Sequence, residues 1–298
     1  MAHRACWAGP SPPNWRTPTP RRTGASCAPP AVEWTHRTCG SIDHDAARAF
    51  LRELAPDAIV VAAERRPDVC ENDPGRAGIE RRRAAGHRGR GPRARCLGAV
   101  DFDRPTTYST APRRPTTPTT RPPLNAYGQS KLDGEHALLE SDPSSCMLRL
   151  PLLYGPFTDW SESAVTSLTP AIVKSADASG APAPMDAWAT RYPTFTPDVA
   201  VVIRGMLEHC AKGETIFGIT QWSGDEPMTK FDIAQRIAQA LRVNARLVAQ
   251  HTPIDATPRP RDCHLDSGRL EALRIGRRTP FDTAIAGLLA RYPEVPVQ

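Results

Sequence analysis

Tyr127 and Lys131 stand four residues apart in the stretch Asn125-Ala-Tyr-Gly-Gln-Ser-Lys-Leu-Asp-Gly-Glu135. On a helix this spacing puts both side chains on one face, one turn apart. A free phenol titrates near ~10, too high for efficient acid–base work at neutral pH. An ammonium group one turn away favours the phenolate and lowers that value. Such a pair can give a proton to a carbonyl oxygen while hydride arrives from a cofactor. Taken alone the spacing is common on helix surfaces, so its weight depends on what surrounds it.

The surroundings predict a positioning frame. Asn125 is placed to cap the helix, and Leu132, Leu138 and Leu139 give it an apolar side. Cys146-Met-Leu-Arg-Leu150 follows as a strand, then Leu153-Tyr-Gly155. Upstream, residues 43–54 read as a helix, and Ala58-Ile-Val-Val-Ala-Ala63 as a short, wholly apolar, buried parallel strand. Downstream, residues 163–175 form an amphipathic helix that Pro170 threatens to interrupt, and residues 175–184 read as small and turn-rich. Residues 199–207 form a helix with Asp198 as its cap, and residues 213–220 a strand centred on Ile216 and Phe217. Thr229 caps a helix carrying Ile233, Ile237 and Leu241 at i, i+4 and i+8, and residues 282–289 form the last helix. Ser223 and Glu226 are candidates for ligand contact, with a simple turn the favoured reading.

The string Tyr-Gly-x-Ser-Lys-Leu-x-Gly-Glu, followed by Leu-Arg-x-Pro-x-Leu-Tyr-Gly, resembles the extended short-chain dehydrogenase/reductase superfamily, specifically its dTDP-4-dehydrorhamnose reductase-like branch. Four more stretches narrow the resemblance to the methionine adenosyltransferase regulatory beta subunits within that branch. They are Ala62-Ala-Glu-Arg-Arg-Pro-Asp-Val69, Met185-Asp-Ala-Trp188 with Arg191-Tyr-Pro-Thr194, Trp222-Ser-Gly-Asp-Glu-Pro-Met-Thr-Lys230, and Arg259-Pro-Arg-Asp262 running on to Arg277-Arg-Thr-Pro-Phe281. The resemblance covers residues 42–75 and 122–289.

It implies an α/β fold: a Rossmann-like parallel sheet with helices on both faces, plus a smaller C-terminal α/β lobe. The implied division is an irregular segment 1–40, an NADP-binding Rossmann-like domain 41–155 with an irregular stretch 76–121, and a substrate or partner lobe 156–298. Residues 190–212 return to the Rossmann-like domain. The implied catalytic residues are Tyr127 and Lys131. The implied cofactor residues are Ala62, Ala63, Tyr127, Lys131 and Leu150. Arg259 and Arg261 are the implied substrate contacts, because guanidinium groups suit a diphosphate.

Composition sets the outer limits. The chain has 298 residues, a net charge of +6 and 32 Pro, about double the usual share of ~5%. The basic residues lack aromatic interleaving, which argues against nucleic acid. The eight Cys are scattered without Cys-x-x-Cys or a His partner at metal spacing, which argues against a metal and for reduced thiols in the cytoplasm. No apolar run approaches the ~20 residues of a membrane span.

Residues 1–40 and 76–121 depart from the family. The expected Gly-x-x-Gly-x-x-Gly turn, whose backbone would approach a pyrophosphate at a helix N-terminus, is missing. Shifting the reading frame restores family-like strings. Residues 103–115 can then give S-T-D-Y-V-F-D-G-T-A-P-P-Y, residues 4–15 G-L-L-G-R-A-V-A-A-E-L-A, and residues 80–83 N-V-D-A. The resemblance therefore implies NADP(H), while the sequence lacks the glycine turn of its pyrophosphate cradle. Three readings compete: a regulatory partner of a methionine adenosyltransferase catalytic subunit, an NADP(H)-dependent reductase of a 4-keto nucleotide-sugar, and an inactive product of a frameshifted gene. Sequencing the DNA across residues 1–40 and 76–121 is expected to find the family strings in the alternative frames; frames closed by stops would remove the third reading.

Overall fold

The computed structural model describes residues 58–63, 95–101, 126–253 and 260–291. The helix expected over residues 43–54, the Asn125 cap, Arg259 and the shifted-frame strings lie outside the described residues.

The central element is a four-stranded, all-parallel sheet in the order β1-β2-β3-β7. Its strands are β1 (Ala58–Ala63), β2 (Arg95–Asp101), β3 (Cys146–Leu150) and β7 (Gly218–Gln221). Ala58 stands opposite Arg95, Leu97 opposite Cys146, and Cys146 opposite Gly218. The strand at β2 corrects the expectation of irregular chain throughout residues 76–121. Arg95 and Asp101 at its ends and Gly98 at its centre break up its apolar run. Its strand character comes from the ladders on both sides rather than from its own pattern.

Helix α1 (Ala126–Ser141) leads into β3 through a tight turn in which Ser145 N–H donates to the Asp142 carbonyl. All five β3 residues are buried, so alternation decides which layer each one meets. Cys146, Leu148 and Leu150 pack with Val199, Val202 and Met206 of α3 (Thr196–Ala211), and with Trp222, Leu270 and Ile275. Arg149 turns to the opposite face, toward α1. The sheet thus carries a helix on each side.

A second cluster gathers around α2 (Thr169–Ala176), α4 (Lys230–Leu241) and α6 (Phe281–Leu289). It also covers a two-stranded parallel sheet of β5 (Ala183–Asp186) and β8 (Leu247–Gln250). Ile172, Ile233, Ile237 and Ile285 lie at its centre. The α4 helix begins with a reciprocal capping box between Thr229 and Asp232, as its sequence predicts. Pro170 starts α2 rather than breaking it, since a first-turn proline sacrifices no helical hydrogen bond. Strand β5 begins inside the stretch read as turn-rich; only Ala183 and Met185 face inward, too few to show an alternating pattern. The strand expected over residues 213–220 starts later, at Gly218, whose φ of 71° turns the chain. That turn buries Ile216 and leaves Phe217 exposed. Helix α5 (Gly268–Ala272) and a two-residue parallel pair, β4 (Leu153–Tyr154) with β6 (Thr194–Phe195), complete the described elements. Among them, no helix is long and apolar enough to cross a membrane.

Burial raises the Cys146 thiol from 9.0 to about 11, only partly offset by its hydrogen bond with Thr220. The folded state therefore holds this proton more tightly than the unfolded chain. The resulting stability is complete below pH 9.0 and is lost as pH rises through about 11. Urea melts of Cys146→Ala between pH 8 and 11 are expected to show a shallower alkaline decline than the parent chain.

Candidate functional site

The parallel ladders put Ala63, Asp101, Leu150 and Gln221 at the carboxyl edge of the sheet, where ligands bind in open α/β folds. The short α1–β3 turn makes the helix antiparallel to the strands, so α1 begins at this same edge. One ion pair fixes how it sits there. Arg149 Nε donates to Glu135 Oε1 at 2.7 Å, and its Nη2 donates to Oε2 at 2.8 Å. Both side chains are almost fully buried.

Lys131 lies one turn before Glu135, about 6 Å further along the axis, and Tyr127 lies about 12 Å along it. Lys131 therefore stands near the strand ends on the buried face of the helix, and the Tyr127 backbone position lies one turn further along. Lys131 is 3% exposed and Leu150 2%. The buried face of α1 runs through Lys131, Glu135, Ala137 and Leu138, while Leu132 and Leu139 are only partly buried. The structure thus brings Lys131, Leu150, the backbone of Ala62 and Ala63, and the Tyr127 backbone position to one edge of the sheet.

Arg261 lies elsewhere, exposed on the loop after β8. Its carbonyl accepts from Thr190 N–H at 2.7 Å. Buried Arg191 holds this loop, with Nη1 donating to the carbonyls of Pro260 at 3.1 Å and Thr190 at 3.2 Å, and to Cys263 Sγ at 3.1 Å. The Arg191 backbone pairs in both directions with Met228.

A third group of contacts ties the lobes together. Phe195, not Asp198, occupies the α3 cap position, and no side chain caps it. Pro197 in the first turn has no N–H to offer, and the buried Asp198 carboxylate turns outward from the helix. It accepts Thr279 N–H at 2.6 Å and Oγ1–H at 2.9 Å, and it pairs with Arg277 at 3.2 Å. Glu226, read as a turn residue, accepts Phe281 N–H at 2.7 Å. Arg278 donates to the Ser223 carbonyl at 2.9 Å and lies 4.2 Å above the Trp222 ring. Tyr154 packs between Phe195 and Phe281 at 5.4 and 5.2 Å, and burial pushes its hydroxyl above the ordinary phenol range.

Glu135, Arg149 and Arg191 escaped the sequence reading. The available signal was a charged residue inside an otherwise apolar strand, which demands a buried partner. Among the described residues, no group of three or more His, Cys, Asp or Glu is placed to hold a metal ion.

The family model for the RmlD substrate binding domain matches residues 27–293. Methionine adenosyltransferase 2 subunit beta of Mus musculus is 37% identical over 249 residues, spanning 82% of this chain and 73% of that protein. The Xenopus tropicalis counterpart is 36% identical over 270 residues, spanning 88% and 77%. Among solved structures, dTDP-4-dehydrorhamnose reductase from Bacillus anthracis in complex with NADP superimposes with a TM-score of 0.65 at 18% identity, covering 85% of this chain and 87% of that one. The sheet order and helix placement described above are thus those of a Rossmann-like fold.

Gly276 and Gly287 give opposite expectations. A Cβ at Gly276 would lie 2.2 Å from Trp222 Cη2, whereas one at Gly287 meets nothing within 4 Å. Gly276→Ala is expected to destabilise by about 1–3 kcal/mol. Gly287→Ala, inside α6, is expected to stabilise by up to about 1 kcal/mol. Equilibrium urea unfolding of both variants checks the pair.

Proposed function

From a chain that belongs to the RmlD substrate binding domain family, we propose a reductase-like regulatory subunit that binds a methionine adenosyltransferase catalytic subunit and supports S-adenosylmethionine synthesis. The observation that carries this reading is the 37% identity to methionine adenosyltransferase 2 subunit beta over 82% of the chain.

NADP(H) is the proposed ligand of the sheet's carboxyl edge. A buried cation at Lys131, beside the end of β3, suits ribose hydroxyls at the carboxyl edge of the sheet. Lys131, Leu150, Ala62, Ala63 and Tyr127 are the proposed holding residues. Residues 1–57, where the family's pyrophosphate-binding turn is expected, lie outside the described residues. When bound, the nicotinamide supplies hydride chemistry.

The retained Tyr127–Lys131 spacing supports a second reading, a reductase acting on a 4-keto nucleotide-sugar. In that reading Tyr127 holds the proton at its phenol oxygen, and Lys131 favours the phenolate by its charge. Arg261, exposed on a loop braced by Arg191, and Arg259 are the proposed contacts for the substrate diphosphate.

NADPH titration of the full chain, followed by cofactor fluorescence, is expected to saturate. Mixing with a methionine adenosyltransferase catalytic subunit is expected to give co-elution in gel filtration and an altered rate of S-adenosylmethionine formation. Absence of co-elution together with turnover of a 4-keto nucleotide-sugar would replace the first reading with the second.

A further inference from the structure

Between α5 and α6 the chain runs without helix or strand through Ile275-Gly-Arg-Arg-Thr-Pro280. Among the described residues, four threonines stand directly before a proline: Thr169, Thr196, Thr252 and Thr279. Thr279 alone also follows two arginines, Arg277 and Arg278. A hydroxyl so flanked suits an enzyme cleft that pairs guanidinium groups with carboxylates and leaves no partner for a backbone N–H at the following position. The segment is open to such a cleft. Gly276, Arg277 and Pro280 are exposed, Thr279 is half-buried, and Pro280 is extended, with φ −52° and ψ 139°.

The Thr279 hydroxyl already holds a junction. It donates to Asp198 Oδ1 at 2.9 Å, while the Thr279 N–H donates to Oδ2 at 2.6 Å. Asp198 is 3% exposed and precedes Val199, which belongs to the cluster under β3. Phe281, two residues after Thr279, belongs to the cluster around α4. One side-chain pair therefore links the two cores.

We propose that Thr279 is a phosphorylation site and that its phosphate opens this junction. The co-reactants are a nucleoside triphosphate and a protein kinase that reads arginine before the acceptor and proline after it. The Thr279 oxygen takes the γ-phosphoryl group, the bond from that phosphorus to the β-phosphate oxygen breaks, the nucleoside diphosphate leaves, and the hydroxyl proton passes to solvent. The modified side chain has lost its O–H donor and carries a charge of about −1.5 to −2. That charge faces the Asp198 carboxylate, which burial keeps from water. Arg277, 63% exposed and 3.2 Å from Asp198 Oδ1, turns to the phosphate. Arg278 keeps Glu271 at 2.7 Å and the Trp222 ring. Asp198 Oδ1 thereby loses both donors described above.

The test incubates the full chain with ATP and a proline-directed protein kinase, beside Thr279→Val and a synthetic peptide of residues 272–284. Site-resolved mass spectrometry is expected to find phosphate on Thr279 in the native chain and in the peptide, and to lose that site in Thr279→Val. Modification of the peptide alone would show that the folded junction shields the hydroxyl. Modification of neither would show that the sequence is not read. Either result overturns the proposal.

The second readout is amide hydrogen exchange over residues 276–283, at a temperature where circular dichroism reports native structure. Phosphate on Thr279 is expected to speed exchange about tenfold in the native chain. Asp198→Asn keeps the shape of the side chain and removes the charge that meets the phosphate. Relative to its own unmodified form, it is expected to speed up less than about threefold on phosphorylation. Thr279→Val, which removes the hydroxyl and adds no charge, is expected to exchange more slowly than the phosphorylated native chain. Unchanged exchange in the phosphorylated native chain, equal acceleration in Asp198→Asn, or equal exchange in Thr279→Val would each overturn the opening of the junction by charge.

Discussion

Two opposite charges share the buried layer between α1 and β3, and the rotation of α1 depends on their meeting. Buried ion pairs are not strong stabilisers in themselves, because the cost of removing both charges from water offsets most of the attraction. What the Glu135–Arg149 pair supplies is direction. A rotation of roughly one residue about the helix axis would bury Leu132 and Leu139 more deeply and turn Lys131 toward water. Hydrophobic burial alone would accept that arrangement. The bidentate contact does not, because it ties one point on the helix to the next-to-last residue of β3. The axial position of Lys131 relative to the strand ends follows from the same tie.

A short run of chain links the two hydrophobic clusters. Residues 276–281 place Gly276 against Trp222, Arg278 over the same ring, Thr279 on Asp198 and the Phe281 amide on Glu226. The last two contacts give the Asp198 and Glu226 carboxylates the hydrogen-bond donors they need, while the first two pack against the indole ring. Tyr154 then continues from the end of β3 into the second cluster, so the chain crosses between cores at two places. This explains why Asp198 is buried at a helix start without capping it. Its carboxylate answers an amide and a hydroxyl from a segment 81 residues away.

Much of the frame was legible because local pattern and tertiary environment agree there. β1 is wholly apolar, α4 has its capping box and a regular apolar stripe, and β3 reads as a strand despite its arginine. Legibility failed where identity comes from neighbours. β2 has an unremarkable composition and becomes a strand through two ladders, and β5 has two inward positions in a Pro-containing stretch. At the candidate site, the Tyr127–Lys131 spacing could be read, but the rotation of its helix could not. Apolar periodicity pointed to Leu132, Leu138 and Leu139; Leu138 is buried, the other two only partly, and the inward face includes two charged residues. Only the partner on β3 reveals why they are there.

β7 is the last strand of the described sheet, and its pairing with β3 leaves the Ile219 carbonyl pointing away from the ladder. Arg269 Nη1 covers that carbonyl at 3.0 Å, and the neighbouring Gln221 side chain accepts from Asp266 N–H at 3.0 Å. An open row of carbonyls and amides is a template on which a strand from another molecule can grow. Here a charged, hydrated head group sits on the row and a loop occupies its next position. A crowded solution of this protein meets a cation over one rung of that border and a loop beside the next, so edge-to-edge growth of chain on chain is opposed there.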